Sequence, residues 1–285
     1  MADPIPSPNL DGPKILLEGS SGSGKTYAIG TLVDWAARQS TPQQVFVLFT
    51  ENGLEVLLSY WRRHGRKVPD NLHWHVIRTP ALSLESLVSG AKKTGDLTYK
   101  ALTESVDYDR GKNNPWLKIL EALQDFPDDR TGKRFGNIGT WGPDTILCND
   151  SLTETSNACM RMVIGNKPTA SQPDYGVSQT NLLNWLRYMT QTFRGTFVMT
   201  AHVKRQINEV TGATQLMTKS IGVALADDIP PLFSETIFTS RNGNEWFWDT
   251  AAANVDTKTR YLAVAAKLPP DFATIMDKWL EWSKV

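Results

Sequence analysis

The chain has 285 residues, 40% of them hydrophobic and 21% charged, with 30 Lys and Arg balanced by 30 Asp and Glu. That length carries one sizeable α/β domain with insertions or two small ones, and zero net charge excludes bulk attraction to nucleic acid or membrane, leaving only local patches. Cys148 and Cys159 are the only cysteines, which excludes a disulfide scaffold and fits a reduced cytoplasmic setting, and no apolar run approaches a membrane span.

Residues 1–12 hold three prolines and no apolar core, so a loosely ordered tail is expected, with one domain over 13–285. Lys14–Gly19 then reads as a short apolar strand running into Gly19-Ser20-Ser21-Gly22-Ser23-Gly24-Lys25-Thr26. This is the full G-x-x-x-x-G-K-T pattern, and Thr26–Gln39 follows with helical spacing. The chemistry explains the residue types. Glycines turn backbone N–H groups onto a phosphate chain, Lys25 supplies a cation to it, and the Thr26 hydroxyl is a ligand for Mg²⁺. The helix start adds its dipole at the same place.

Gln44–Phe49 is a second strand, followed by a helix with Leu54, Leu57, Leu58 and Trp61 on its apolar stripe. Leu72–Arg78 alternates as a third strand, with His73 and His75 expected on its surface. From about 80 to 143 the pattern weakens into an insertion. Helices are expected around Leu82–Val88 and Trp116–Phe126, with polar stretches at Lys92–Asn114 and Asp128–Gly142, the latter a solvated loop. Thr145–Cys148 resumes the strand pattern. Asn166–Gly176 reads as a break, Thr180–Phe193 as a long helix and Thr196–Thr200 as a strand. Beyond a polar segment at Lys204–Lys219, strands are expected at Glu235–Ser240, Glu245–Asp249 and Arg260–Ala265, the first two joined through Asn242-Gly243, before a helix over Asp271–Trp282. This order predicts a three-layer α/β fold with a mostly parallel sheet and antiparallel strands near the C-terminus.

Strand ends supply the remaining candidates. Asp150, after Thr145–Asn149, is placed to hold Mg²⁺. Glu51 is either a water-polarising carboxylate or an acid favoured by a helix N-terminus. His202 can donate to a terminal phosphate and report its loss to the segment beyond.

Together, the loop at 19–26, Thr50-Glu51, Asp150-Ser151 and Thr200-Ala201-His202 resemble the RecA-type ATPase core. More narrowly, they resemble phage-encoded RecA-like recombination ATPases of the Sak type, over about residues 13–270. The resemblance implies ATP and Mg²⁺ as cofactors, Glu51 as catalytic glutamate, Asp150 as Walker-B acid and His202 as phosphate sensor. It implies a mobile loop over 204–222 that binds single-stranded DNA through Lys204, Arg205 and Lys219, although the net basicity there is mild and no aromatic residue is present. It also implies a homo-oligomer, a phage annealing or single-strand-binding protein as partner, no membrane and the bacterial host cytoplasm. Recombinases of bacteria have an N-terminal docking segment, and 13 residues precede the first strand here. A cation acting from a neighbour would be Lys258, Arg260 or Lys267. A second reading is a nucleotide-gated assembly switch that does not bind DNA; a small-molecule kinase leaves Glu51 unexplained and lacks an arginine-rich lid.

Overall fold

The computed structural model describes residues 10–78, 84, 85, 88, 114–165, 167, 169–207, 212 and 214–284. Most of the sequence expected as a tail, most of the helix expected over Leu82–Val88 and nearly all of Lys92–Asn114 lie outside the described residues.

The strands are β1 (Lys14–Gly19), β2 (Val45–Phe49), β3 (Leu72–Val76), β4 (Ile146–Asp150), β5 (Thr196–Ala201), β8 (Glu235–Asn242) and β9 (Glu245–Asp249) in one seven-stranded sheet, ordered β3-β2-β4-β5-β1-β8-β9. β6 (Val203–Ile207) and β7 (Thr214–Thr218) form a separate antiparallel hairpin. The first six strands of the sheet order are parallel and only β9 runs antiparallel, against β8. β1, β2, β4 and β5 are buried along their whole length, which is why they read as near-continuous apolar runs.

Period-two alternation sends side chains to two cores. Ile15, Leu17, Val47, Cys148 and Val198 meet α1 (Lys25–Ala37), α2 (Leu54–Arg63) and α7 (Ala273–Trp282). Leu16, Phe46, Leu48, Leu147 and Met199 meet α3 (Pro115–Gln124), α4 (Leu152–Ile164), α5 (Gln172–Arg187) and the short α6 (Ala224–Asp228) on the other face. The protein is an α/β fold with helices on both sides of a mostly parallel sheet. The described part of the 80–143 region belongs to the second core through Trp116, Ile119 and Phe126.

Four sequence expectations change. β8 pairs parallel with β1, so the C-terminal strands are not all antiparallel. Arg260–Ala265 forms no strand. Its backbone is taken up by side chains instead: Arg260 and Tyr261 N–H groups donate to Glu235, and the Thr250 hydroxyl donates to Ala263 O at 2.6 Å. α5 begins at Gln172, inside the expected break, because the Ser171 N–H is held by Asp174 at 2.8 Å and Pro173 suits a first turn. It ends in a π-turn over Tyr188–Thr192. His73 is buried, and the start of the Asp128–Gly142 stretch that was expected to be solvated hooks onto the β3 edge: Asp128 takes the His73 Nδ1 hydrogen bond at 2.9 Å and Asp129 takes that of His75 at 2.9 Å.

Glu18, the penultimate residue of β1, is 1% exposed. The Thr218 hydroxyl donates to its Oε2 at 2.7 Å, and its Oε1 has no partner among the described residues. Burial pushes its pKa up to about 7, against the Thr218 hydrogen bond.

Candidate nucleotide site at the strand ends

β1 runs out at Gly19, and the loop Ser20–Gly24 leads directly into α1. Gly24 lies at φ +89°, and a Cβ there would fall 2.8 Å from Trp246 Cγ, so the position requires glycine twice over. Trp246, on β9, donates its indole N–H to Gly22 O at 3.2 Å. Ser23 is buried and shares a 2.6 Å hydrogen bond with Thr239 of β8. The loop is thus braced from the β8–β9 side, while Ser20, Ser21 and Gly22 face solvent. Lys25 is 7% exposed and bends over the loop, donating to Gly19 O at 2.9 Å and Ser20 O at 2.8 Å. Burial pulls its pKa down to about 8, against the opposing charges of Asp150 and Glu51.

Asp150 ends β4 and is buried. Its Oδ2 accepts from the Thr26 hydroxyl at 2.8 Å, and its Oδ1 accepts from the Thr200 hydroxyl on β5. Burial raises its pKa, and the two hydroxyls work against that shift. At Gly53, before α2, a Cβ would come within 2.4 Å of Asp150 Oδ2, so only glycine lets the α2 turn pass the carboxylate.

The turn carrying Glu51 is fastened to the end of β4. The N–H groups of Thr50 and Glu51 both donate to Asp150 O, at 2.7 and 3.3 Å. The Thr50 hydroxyl accepts from Ser151 N and donates to Ser151 O, both at 2.9 Å. The Asp150–Ser151 peptide is cis. The Ser151 hydroxyl donates to Glu51 Oε1, and His202 Nε2 lies 3.3 Å from Oε2. Burial opposes a charge on Glu51, but hydrogen bonds from His202 and Ser151, with Lys25 nearby, hold its carboxyl below the ordinary value.

His202 follows β5. Its N–H donates to Thr153 Oγ1 at 3.1 Å, Thr153 donates onward to Lys219 O at 3.3 Å, and Lys219 N–H returns to His202 O at 2.7 Å. The first turn of α4 is therefore stitched to the base of the β6–β7 hairpin. On that hairpin Arg205 is exposed, with Lys219 exposed just past its end, whereas Lys204 is half-buried and donates to Gly222 O at 2.8 Å. Residues 208–211 and 213 of the expected loop lie outside the described residues. Of the three candidate cations for action on a neighbour, Lys258 is engaged on Phe233 O at 2.9 Å.

The loop, Glu51, Asp150, Ser151 and His202 line a cleft of about 200 Å³. On the far side of Glu51 and His202 a wider cleft of about 750 Å³ is bordered by Arg78, Glu154 and Lys219. The structure brings Gly19–Thr26, Glu51, Asp150 and His202 to one place and leaves Arg205 on the hairpin beyond it. Sequence reasoning missed Thr200, Ser151 as a partner of Glu51, and Trp246. The first had a weak signal: Thr200 is a polar residue at the end of a strand read as apolar, on the face it shares with Thr196 and Val198. Trp246 had none, since its contact spans 224 residues.

Thr26 and Asp150 offer two adjacent hard oxygen donors, a set suited to Mg²⁺, which keeps waters and phosphate oxygens as its other ligands. No group of three or more His, Cys, Asp or Glu able to hold a metal occurs among the described residues. None of the described helices is long and apolar enough to cross a membrane. In comparison with known proteins, no family model and no curated protein matches this chain.

Proposed function

We propose that the chain is a RecA-like P-loop ATPase, using Mg²⁺ and stimulated by single-stranded DNA, of the kind that serves phage recombination or replication. One observation carries this reading: Lys25, Thr26, Asp150, Glu51 and His202 line one cleft at the carboxyl ends of parallel strands, where open α/β sheets bind ligands. β5 alone separates the β1 and β4 strands, which is what brings Thr26 within 2.8 Å of Asp150.

The loop N–H groups and Lys25 would bind the phosphates, Lys25 exchanging its carbonyl partners for phosphate oxygens. Thr26 and Asp150 would hold Mg²⁺, which when bound neutralises charge on the phosphates. Glu51 is kept ionised and aimed by Ser151 and His202, the state needed to take a proton from the attacking water. His202, paired with Glu51 through Nε2 and tied through its backbone to Lys219, links the reacting end of the cleft to the hairpin.

The test is Mg²⁺-dependent ATP hydrolysis with and without oligothymidylate. Lys25→Ala is expected to abolish turnover, and the oligonucleotide to raise it in the wild type. Turnover that survives Lys25→Ala overturns the ATPase reading. A DNA-independent switch is the second reading, favoured by Lys204 being engaged on Gly222 O and not free on the surface. ATP binding and hydrolysis with no response to single strands at low salt would select it.

A further inference from the structure

A run of cations sits beside the loop that the strand-end argument does not use. Residues 62–67 read Arg-Arg-His-Gly-Arg-Lys, all exposed at the end of α2, in a chain whose net charge is zero. No acidic residue occurs between Trp61 and Pro69. Asp34 is already saturated, taking Trp61 Nε1 at 2.8 Å, the Tyr60 hydroxyl at 3.1 Å and Arg66 at 2.8 Å. Among the described residues, Arg62, Arg63 and Lys67 pair with no carboxylate. Their positive charge is therefore uncompensated among the described residues.

Aromatic rings are interleaved with these cations. The Arg63 guanidinium lies 5.7 Å from the Tyr27 ring centroid, and that of Arg66 lies 5.5 Å from Tyr60. Tyr27 packs on Trp246 at 5.0 Å and edge-on to Tyr60 at 5.0 Å. The cation–π contacts, and for Arg66 the ion pair with Asp34, hold two guanidiniums beside half-exposed rings, so less side-chain freedom is lost when they grip an anion. Cations with π-faces among them suit a nucleic-acid strand, whose phosphates and bases use both; an acidic peptide uses only the charge.

We propose that Arg62, Arg63, Arg66 and Lys67, with Tyr27 and Trp246 at their border, form a second surface for single-stranded DNA, separate from the β6–β7 hairpin. The choice of polyanion rests on the single-stranded-DNA reading above. Tyr27 directly follows Thr26 and lines the nucleotide cleft, so a strand held here runs past the mouth of that cleft.

The experiment measures anisotropy of labelled oligothymidylate on the full chain without nucleotide, across salt concentrations. Arg62→Ala/Arg63→Ala/Lys67→Ala removes only exposed side chains, and its melting temperature is expected to match the wild type. It is expected to weaken binding about ten-fold or more at low salt, and to lower the slope of log affinity against log salt by about two, at ~0.7 per phosphate contact. The double variant Arg62→Lys/Arg63→Lys, with Lys67 intact, is expected to retain most of the slope. Wild-type affinity and slope in the alanine variant would overturn the proposal, as would no binding by the wild type. Competition by polyglutamate as strong as by unlabelled oligothymidylate would assign the surface to an acidic protein and overturn it as well. Failure here leaves Lys25-dependent hydrolysis untouched, whereas failure of the ATPase reading leaves this nucleotide-free binding in place.

Discussion

Two histidine–carboxylate pairs with the same chemistry sit in opposite surroundings. His73 and Asp128 are 9% and 0% exposed, and every polar atom is used: Asp128 also accepts from Thr131 at 2.6 Å, Arg130 N at 3.0 Å and Trp74 N at 3.3 Å, while His73 Nε2 meets Gln44 Oε1 at 2.8 Å. His202 and Glu51 are 26% and 27% exposed, lie 3.3 Å apart and face a cleft. A saturated, buried pair fastens a loop to a sheet edge. An unsaturated pair at a cleft keeps hydrogen-bonding capacity for something else, and that spare capacity marks a site better than residue type does.

The largest expected effect separates the two pairs by activity. Glu51→Gln keeps the side-chain shape and can still accept from Ser151, but it cannot take a proton. Turnover is expected to fall about 10²–10⁴-fold with ATP affinity retained, read by steady-state rates and nucleotide binding. Unchanged turnover would put Glu51 in the same class as Asp128.

Asp128→Ala should do the reverse. It leaves the buried His73 and two part-buried N–H groups without their acceptor, so a loss of about 2–4 kcal/mol in urea unfolding is expected with hydrolysis per folded molecule unchanged. Burial works against the Asp128 charge, yet the hydrogen bonds from Thr131, His73 and the backbone hold its pKa below the ordinary value. Its contribution is thus complete above about pH 3.9 and is lost as pH falls through the lower folded value, so Asp128→Asn should flatten the acid limb of the stability curve.

Glu18 supplies the contrasting sign. Its folded pKa, about 7, is raised above the unfolded value, so the folded state holds the extra proton between about pH 4.3 and 7, and stability falls across that window as pH rises. Glu18→Gln should remove this slope, matching the wild type near pH 4 and exceeding it by up to about 3 kcal/mol at pH 8, measured by thermal melts. The smallest effect is expected at His75, whose pair with Asp129 is 23% and 31% exposed: His75→Ala should cost no more than about 1 kcal/mol.

What could be read from the chain divides along the same line. The phosphate-loop pattern, the strand before it and the acids at two strand ends are local, so Lys25 and Asp150 stand out from spacing, whereas Glu51 is singled out from a helix N-terminal acid only by the family resemblance. Thr200 needed the strand's alternation taken to its last turn. Asp128 and His73 were read as solvent-facing because their partnership spans 55 residues, and nothing within either segment announces it. Arg260–Ala265 has the composition of a strand, but Glu235 and Thr250 claim its backbone groups from a distance. The run at 62–67 straddles the end of α2 and the loop after it and drew no attention, although its cations are nearly contiguous in sequence.

The stitch among Thr153, His202 and Lys219 has a mechanical meaning. β6 is five residues long, a rod of about 16 Å at ~3.3 Å per residue, held at its inner end by one backbone hydrogen bond, Lys219 N–H to His202 O, and by the short Thr153 hydroxyl bridging His202 N and Lys219 O. The base of the hairpin, the residue that faces Glu51 and the first turn of α4 are thus joined by one closed circuit of three hydrogen bonds.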